Sequence, residues 1–265
     1  VQPIAICAIY KNESPYLLEW IAFHKSIGVD HFILYDNGSD DDGTELIQSS
    51  AFADMVTIVD WPQRPGQFAA YADCIARYAD RFSWIAFIDV DEFIHPLESN
   101  SLRELLQHPR YAAFSEVLIF WLLFGSGGNR TRPEGLVLEN YRKRVPEDSP
   151  VNGHVKTIAR GSALLGAGTT PHILQTTGRT CDATGETIVK HALHERACHE
   201  VMVLNHYFTK SLEEWEAKLR RGKADEAVAT NNAYPASRIQ DVDNQIQVED
   251  SRIVRFVPRM RWLLR

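Results

Sequence analysis

No stretch of this sequence is long and apolar enough to cross a bilayer. Its longest apolar run, Val117 to Phe124, falls far short of the roughly 20 residues that a spanning helix needs. It also lacks a basic excess: 28 Lys and Arg stand against 35 Asp and Glu, a net charge of -7. Nucleic-acid binding therefore has no electrostatic support, and small molecules are the expected partners. The four cysteines, Cys7, Cys74, Cys181 and Cys198, are far apart and form no CxxC pair. Cys7 and Cys74 sit among apolar neighbours, where a thiol acts as a small buried hydrophobe, so a reducing, cytoplasmic setting is expected. Internal repeats and low-complexity linkers are missing too, which leaves one compact domain over residues 1–250 and a basic amphipathic segment over 251–265. The chain starts at Val1 rather than Met, so a missing signal peptide proves little about what precedes it.

What is present is an alternation of strand and helix. Pro3 to Ile9 is an apolar strand, and Leu17, Leu18, Ile21, Ala22 and Ile27 follow Ser14 and Pro15 at helical spacing. HFILYD, Met55 to Val59 and SWIAFID read as further strands, with helices over TELIQSS and from Gly66 to Tyr78 between them. Such alternation predicts an α/β fold with a parallel sheet and right-handed crossovers. The second half reads as mixed and antiparallel: AAFSEVLIFWLLFG, GLVLENYRKRV and HVKTIAR are expected strands, Ser211 to Arg221 a capped helix, and Gly125 to Gly135 a flexible loop.

Parallel sheets bind ligands at the carboxyl ends of their strands, which here read YKNE, YDNGSDD, DWPQRPGQ and DVDE. Asp89, Asp91 and Glu92 crowd one of these ends. Like charges so close need a cation, and Mg²⁺ or Mn²⁺ shared with substrate phosphates supplies one; a solvated acidic turn is the plainer alternative. Asn12 and Glu13 at the first strand end, and Asp36 and Asn37 at the second, can hydrogen-bond a base or ribose, or simply cap turns.

ICAIYKNE, YDNGSDDDG, FIDVDEF, WLLFGSGG and LNHYFTKS occur in the order and spacing of family 92 and related family 2-like glycosyltransferases, which this chain resembles from about Ile4 to Gly222. The resemblance implies a GT-A fold, with a mixed central sheet flanked by helices. It also implies a nucleotide-sugar donor such as a UDP-sugar, a glycan or lipid-linked saccharide acceptor, and Mn²⁺ or Mg²⁺ at the DVD motif. Asp91 would be the direct metal ligand, Asp89 would help through the ribose or the ion, and His206 would approach from a later strand. Asn12, Glu13, Asp36, Asn37 and Gln67 would line the nucleoside site, with Lys156 and Lys210 as diphosphate partners. Inverting transfer needs a carboxylate base, for which Glu134 and Asp182 stand first and Glu116 behind them. The Glu147-Asp148 pair lacks the following aromatic residue expected in family 2 enzymes. Trp121, Phe124, Gly125, Gly127 and Gly128 suggest an acceptor platform, against core packing for Trp121.

Two segments stand apart. KHALHERACHE carries His191, His194, Cys198 and His199, one residue away from the HExxH zinc pattern, although a solvated helix explains it at less cost. The 251–265 segment mixes five arginines with apolar residues, which suits either peripheral membrane contact or packing back on the domain. The rival functions are a catalytically inactive glycan-binding domain and a phosphatase of the HAD type. The phosphatase fits badly, because its motif usually ends an early strand.

Overall fold

The computed structural model describes residues 3–224, 235 and 237–265. β1 (Ile4–Tyr10), α1 (Ser14–Ser26), β2 (His31–Asp36), α2 (Gly43–Gln48), β3 (Val56–Asp60), α3 (Gln67–Tyr78) and β4 (Trp84–Phe87) follow the expected alternation. β1 pairs in parallel with β2 and β4, and β2 with β3. Successive side chains of β1 leave opposite faces of the sheet. Ile4, Ile6, Ala8 and Tyr10 join the core that contains α1 residues, while Ala5, Cys7 and Ile9 join the one that contains α3 residues. Cover on both faces is why this strand reads as an unbroken apolar run.

After Phe87 the chain leaves the parallel block and continues as β5 (Glu92–Pro96), α4 (Leu102–Leu106), β6 (Glu116–Phe124), α5 (Val137–Asn140), β7 (Lys143–Arg144) and β8 (Val155–Arg160). Then come β9 (Leu164–Thr170), β10 (Ile173–Thr176), β11 (Thr180–Cys181), β12 (Met202–Tyr207), α6 (Leu212–Arg221), α7 (Arg238–Asp243), β13 (Val248–Glu249) and α8 (Val257–Leu263). β8 joins the parallel block antiparallel to β4, and β6 pairs antiparallel to β8. β12 lies between β6, its parallel partner, and β5, its antiparallel one. The result is the expected mixed central sheet flanked by helices. Ile88 to Asp91 is the short crossing from β4 to β5, and it carries both aspartates of the DVD motif.

Two elements differ from the sequence expectation. GLVLENYRKRV is not a strand but a short helix, α5, and the two-residue β7. Glu19, buried on α1, accepts hydrogen bonds from the Val137 and Leu138 amides at 2.8 and 3.1 Å, so a distant carboxylate caps the helix start. KHALHERACHE is irregular rather than helical. Its backbone bonds to neighbouring chain instead, with the Val155 amide on the Ala192 carbonyl at 3.3 Å and the His194 amide on the Gly153 carbonyl at 2.9 Å. Only glycine permits this approach, since a Cβ at 153 would lie 2.0 Å from the His194 carbonyl oxygen. In the 251–265 segment, Ile253, Phe256, Val257 and Met260 are buried in the same core as α1, and Trp262 is exposed.

Burial pushes Glu19 up from 4.5 to about 7, against the two amide bonds. A raised acid binds more protons folded than unfolded, so its contribution to stability falls as pH rises from about 4.5 through about 7, by about 1.4 kcal/mol for each pH unit that separates its folded from its unfolded pKa. Glu19→Gln is therefore expected to flatten the urea-unfolding free energy across that window. An unchanged slope in the variant would show that Glu19 does not titrate there.

Candidate functional site

A cleft of about 530 Å³ opens where β1, β2 and β4 end, roofed by residues from β12 and α6. This is where a parallel sheet offers its loops to a ligand. Of the residues singled out from the sequence, Glu13, Asn37, Gln67, Asp89, Asp91, Lys156 and His206 line it, and Trp121 forms part of its wall.

The DVD motif is held by a dense polar network. Asp89 accepts from Gln67 Nε2 at 3.1 Å and from Lys156 Nζ at 2.8 Å. Lys156 is fully buried. Burial alone would lower its pKa, but Asp89 and Glu92 outweigh that and hold it well above the usual lysine range. Glu92 is buried beneath the motif. Its two oxygens accept from the Trp121 indole N–H at 2.7 Å and the Asp89 amide at 2.8 Å, so it fixes the loop from below. Burial pushes Glu92 up to about 8, with Lys156 opposing.

Asp91 accepts from Lys218 Nζ at 2.7 Å, and the same ammonium donates to the Phe208 carbonyl at 2.9 Å. Burial disfavours its charge, yet Lys218 and His206 hold the carboxyl well below the usual range. His206 pairs across the ladder with Glu92, which brings its Nε2 to 3.5 Å from Asp91 Oδ1. Its Nδ1 is buried without a hydrogen-bond partner among the described residues. Burial lowers His206, with Asp91 opposing.

Among the described residues no three His, Cys, Asp or Glu side chains converge to hold an ion by themselves. This includes the KHALHERACHE histidines: His194 packs its ring on Phe120, and His199 bonds the Trp121 carbonyl. Asp91 and His206 do approach one another, and a carboxylate beside a neutral imidazole suits Mn²⁺ or Mg²⁺ when phosphates and water complete the shell. The donor set fits on that condition.

Other residues lie elsewhere. Asn12 and Asp36 organise the loop after β2: Asn12 Oδ1 accepts the Asp40 amide at 2.9 Å, and Asp36 accepts the Ser39 amide at 2.8 Å and Thr44 Oγ1 at 3.0 Å. Lys210 places its ammonium over the Tyr16 ring at 4.1 Å and does not line the cleft. Neither do Glu134 and Asp182. Asp182 spends Oδ1 on the Thr184 amide and hydroxyl at 2.8 and 2.7 Å, as a turn-forming aspartate does. Glu116 is buried behind the sheet, bound to Thr180 Oγ1 at 2.8 Å and Lys190 Nζ at 2.5 Å.

The acceptor platform is not built as the sequence suggests. One face of Trp121 is stacked by His154 at 4.6 Å, and His206 meets the ring edge-on at 4.3 Å. Phe124 packs against Tyr207 at 4.8 Å, and a Cβ at Gly125 would meet Asp243 at 2.8 Å. Ser126 to Asn129 is a hydrogen-bonded turn, closed by the Gly128 amide on Ser126 Oγ at 2.9 Å.

Sequence reading passed over Lys218 and Arg221. Both line the cleft from α6, three residues apart and so on one helix face, which is the signal that could have found them. Arg221 pairs with Glu13 and donates to the Lys11 carbonyl at 2.7 Å. The helix itself is capped as expected, with Ser211 Oγ taking the Glu214 amide at 3.3 Å and Glu214 taking the Ser211 amide at 3.0 Å.

Residues 2–165 match the family model described as glycosyltransferase family 92. A glycosyltransferase family 92 protein of Oryza sativa subsp. japonica is 32% identical over 168 residues, 61% of this chain and 27% of the relative. A galactan beta-1,4-galactosyltransferase of Arabidopsis thaliana is 30% identical over 120 residues, 41% of this chain and 23% of the relative. The chain thus spans well under a third of the length of either relative. Among solved structures, glucosyl-3-phosphoglycerate synthase from Mycobacterium tuberculosis, in complex with Mn²⁺, UDP and phosphoglyceric acid, aligns at a TM-score of 0.36 with 19% identity over 62% of this chain and 57% of that one. A likeness that low adds nothing to the sheet order and pairing of the chain itself.

Proposed function

The chain belongs to glycosyltransferase family 92, and on that premise we propose that its cleft transfers a sugar from a nucleoside diphosphate, UDP first among them, to a glycan or lipid-linked acceptor. The observation that carries this reading is charge. On a chain of net charge -7, the cleft gathers Lys11, Arg64, Lys156, Lys218, Arg221, Lys223 and Arg238 against Glu13, Asp89, Asp91 and Asp241. A pocket so rich in cations attracts a polyanion, and a diphosphate is the polyanion a sugar donor brings.

Asn37 and Gln67 line the cleft, and we assign the nucleoside to their end of it, with Glu13 held by Arg221. Asn37 spends its amide protons on the Trp61 and Gln63 carbonyls at 2.7 and 2.8 Å, which shapes the wall rather than contacting solvent. Lys218 and Arg221 stand where negative charge grows on the departing diphosphate. Mn²⁺ or Mg²⁺, held by Asp91 and His206, would add further charge neutralisation there. Asp89 acts through Lys156, keeping that ammonium at the motif.

The proton of the acceptor hydroxyl needs a carboxylate in the cleft. Among the described residues Asp241 lines it and makes no side-chain hydrogen bond or ion pair, so the base role falls to Asp241, as inverting transfer requires. The family leaves the phosphatase alternative without support. The galactosyltransferase activity in the name of the Arabidopsis relative makes UDP-galactose the first sugar donor to try.

Calorimetry of UDP and a nucleotide-sugar panel, with Mn²⁺ and after chelation, tests the reading. Binding that needs both nucleotide and ion is expected. No binding of any nucleotide under either condition would end the transferase proposal.

A further inference from the structure

Two histidines in the cleft take no part in the chemistry above. His154 precedes β8, and His172 joins β9 to β10; both line the cleft beside Trp121. His154 stacks on the indole at 4.6 Å and 22°, His172 meets it edge-on at 5.3 Å, and the two imidazoles lie 5.5 Å apart. Their Nδ1 atoms are committed: His154 Nδ1 is 2.8 Å from the Val151 carbonyl, and His172 Nδ1 is 3.0 Å from the Val155 carbonyl. A carbonyl only accepts, so each Nδ1 carries a proton, and in the neutral tautomer this leaves the lone pair on Nε2. Nε2 is then the one polar atom each ring has left to offer the cleft, and neither has a hydrogen-bond partner among the described residues.

We infer that His154 and His172 form a subsite that reads the hydroxyl groups of a sugar ring through their two Nε2 atoms. A neutral acceptor nitrogen has nothing to give a phosphate oxygen and takes a hydrogen bond readily from a hydroxyl. Burial, helped by the nearby Lys156 ammonium, pushes His172 down to about 4, so it stays an acceptor at neutral pH. Placement agrees. Asn37 follows β2 and His154 precedes β8, with β1 and β4 between those strands in the sheet. The two ends of the cleft are therefore on the order of 14 Å apart at three strand spacings. The DVD motif follows β4, between them, so a diphosphate held there leaves the histidine end for sugar. The flat stack of His154 on Trp121 keeps the pair in place without using Nε2.

This inference rests on the proposed transferase reading. The transferred sugar and the acceptor sugar present the same hydroxyl chemistry, and the test separates them. Wild type, His172→Leu, His172→Gln and His154→Leu are titrated with UDP and with UDP-galactose or the best-binding member of the panel, and acceptor KM is measured with that donor. Both leucine variants should bind UDP within about twofold of wild type. If the subsite reads the transferred sugar, they lose about tenfold or more in nucleotide-sugar affinity; if it reads the acceptor, they raise acceptor KM by a similar factor. His172→Gln, whose terminal amide oxygen can stand near the Nε2 position, should recover most of the loss, which a merely structural role would not allow. Leucine variants unchanged in both measurements overturn the inference while the transferase reading stands. A wild type that binds UDP but no sugar nucleotide better than UDP, and shows no transfer, overturns both.

Discussion

Asp91→Asn is expected to lower sugar transfer by about 10² to 10³-fold, and also to lower thermal stability, because Lys218 loses its charged partner. The side chain keeps its shape and can still accept from Lys218, which lies 2.7 Å from Oδ2 in the wild type. What disappears is the charge. Although burial disfavours it, Lys218 and His206 keep Asp91 ionised far below neutral pH, so the wild-type carboxylate is a fixed anion throughout the working range. Its other oxygen faces His206 Nε2 at 3.5 Å, longer than an ordinary hydrogen bond and therefore poorly satisfied without a third party. An amide at that position offers a divalent ion much less. Steady-state kinetics together with Mn²⁺-dependent UDP calorimetry report the effect. Transfer within tenfold of the wild type, in a variant still folded at the assay temperature, would remove Asp91 from the donor site.

The parts of the site legible in the sequence were those written contiguously. A hydrophobic strand running into Asp89 and Asp91 announces a polar strand end, because the strand is apolar only where the sheet is covered. Side-chain direction is not written that way. Asn12, Asp36 and Asn37 look equivalent in sequence, but the first two hold the loop after β2 away from the cleft, while Asn37 holds the loop after β3 and lines the cleft wall. Glu19 caps α5 from 118 residues away, a contact that no local window contains and the reason a helix stands where a strand was expected. Lys218 and Arg221 were hidden for a different cause: on a helix with so many charges, one basic face reads as solvated surface until tertiary structure turns it inward. Trp121 reads equally as a sugar platform or a core residue. Its indole bond to Glu92 decides against an open platform and makes it a support for the DVD loop.

Lys156→Met is expected to cost about 3 to 5 kcal/mol of folding stability near pH 8 and clearly less near pH 6. Lys156 is 1% exposed, and its ammonium bonds Asp89 at 2.8 Å and stands 3.6 Å from Glu92. Methionine fills much the same volume, so the loss is electrostatic: two carboxylates remain beside the cleft with their shared cation removed. Its folded pKa is raised above the unfolded value, so Lys156 contributes fully anywhere below about 10, and its own titration produces no change between pH 6 and 8. Glu92 produces it. Burial already raises this acid to about 8, so its contribution falls as pH climbs from about 4.5 through 8; without Lys156 opposing, that fall steepens and extends upward. At pH 6 Glu92 carries a proton with or without Lys156, so the hydrogen bonds from Trp121 and the Asp89 amide meet a neutral carboxyl and Asp89 alone loses its cation; by pH 8 the wild-type Glu92 is losing its proton beside Lys156, a gain the variant lacks. Urea unfolding of wild type and variant at both pH values measures the difference directly. A penalty equal at pH 6 and 8 would mean that Glu92 does not change its ionisation between them, and a penalty under about 1 kcal/mol at both would mean that water, not Lys156, compensates the motif's charge.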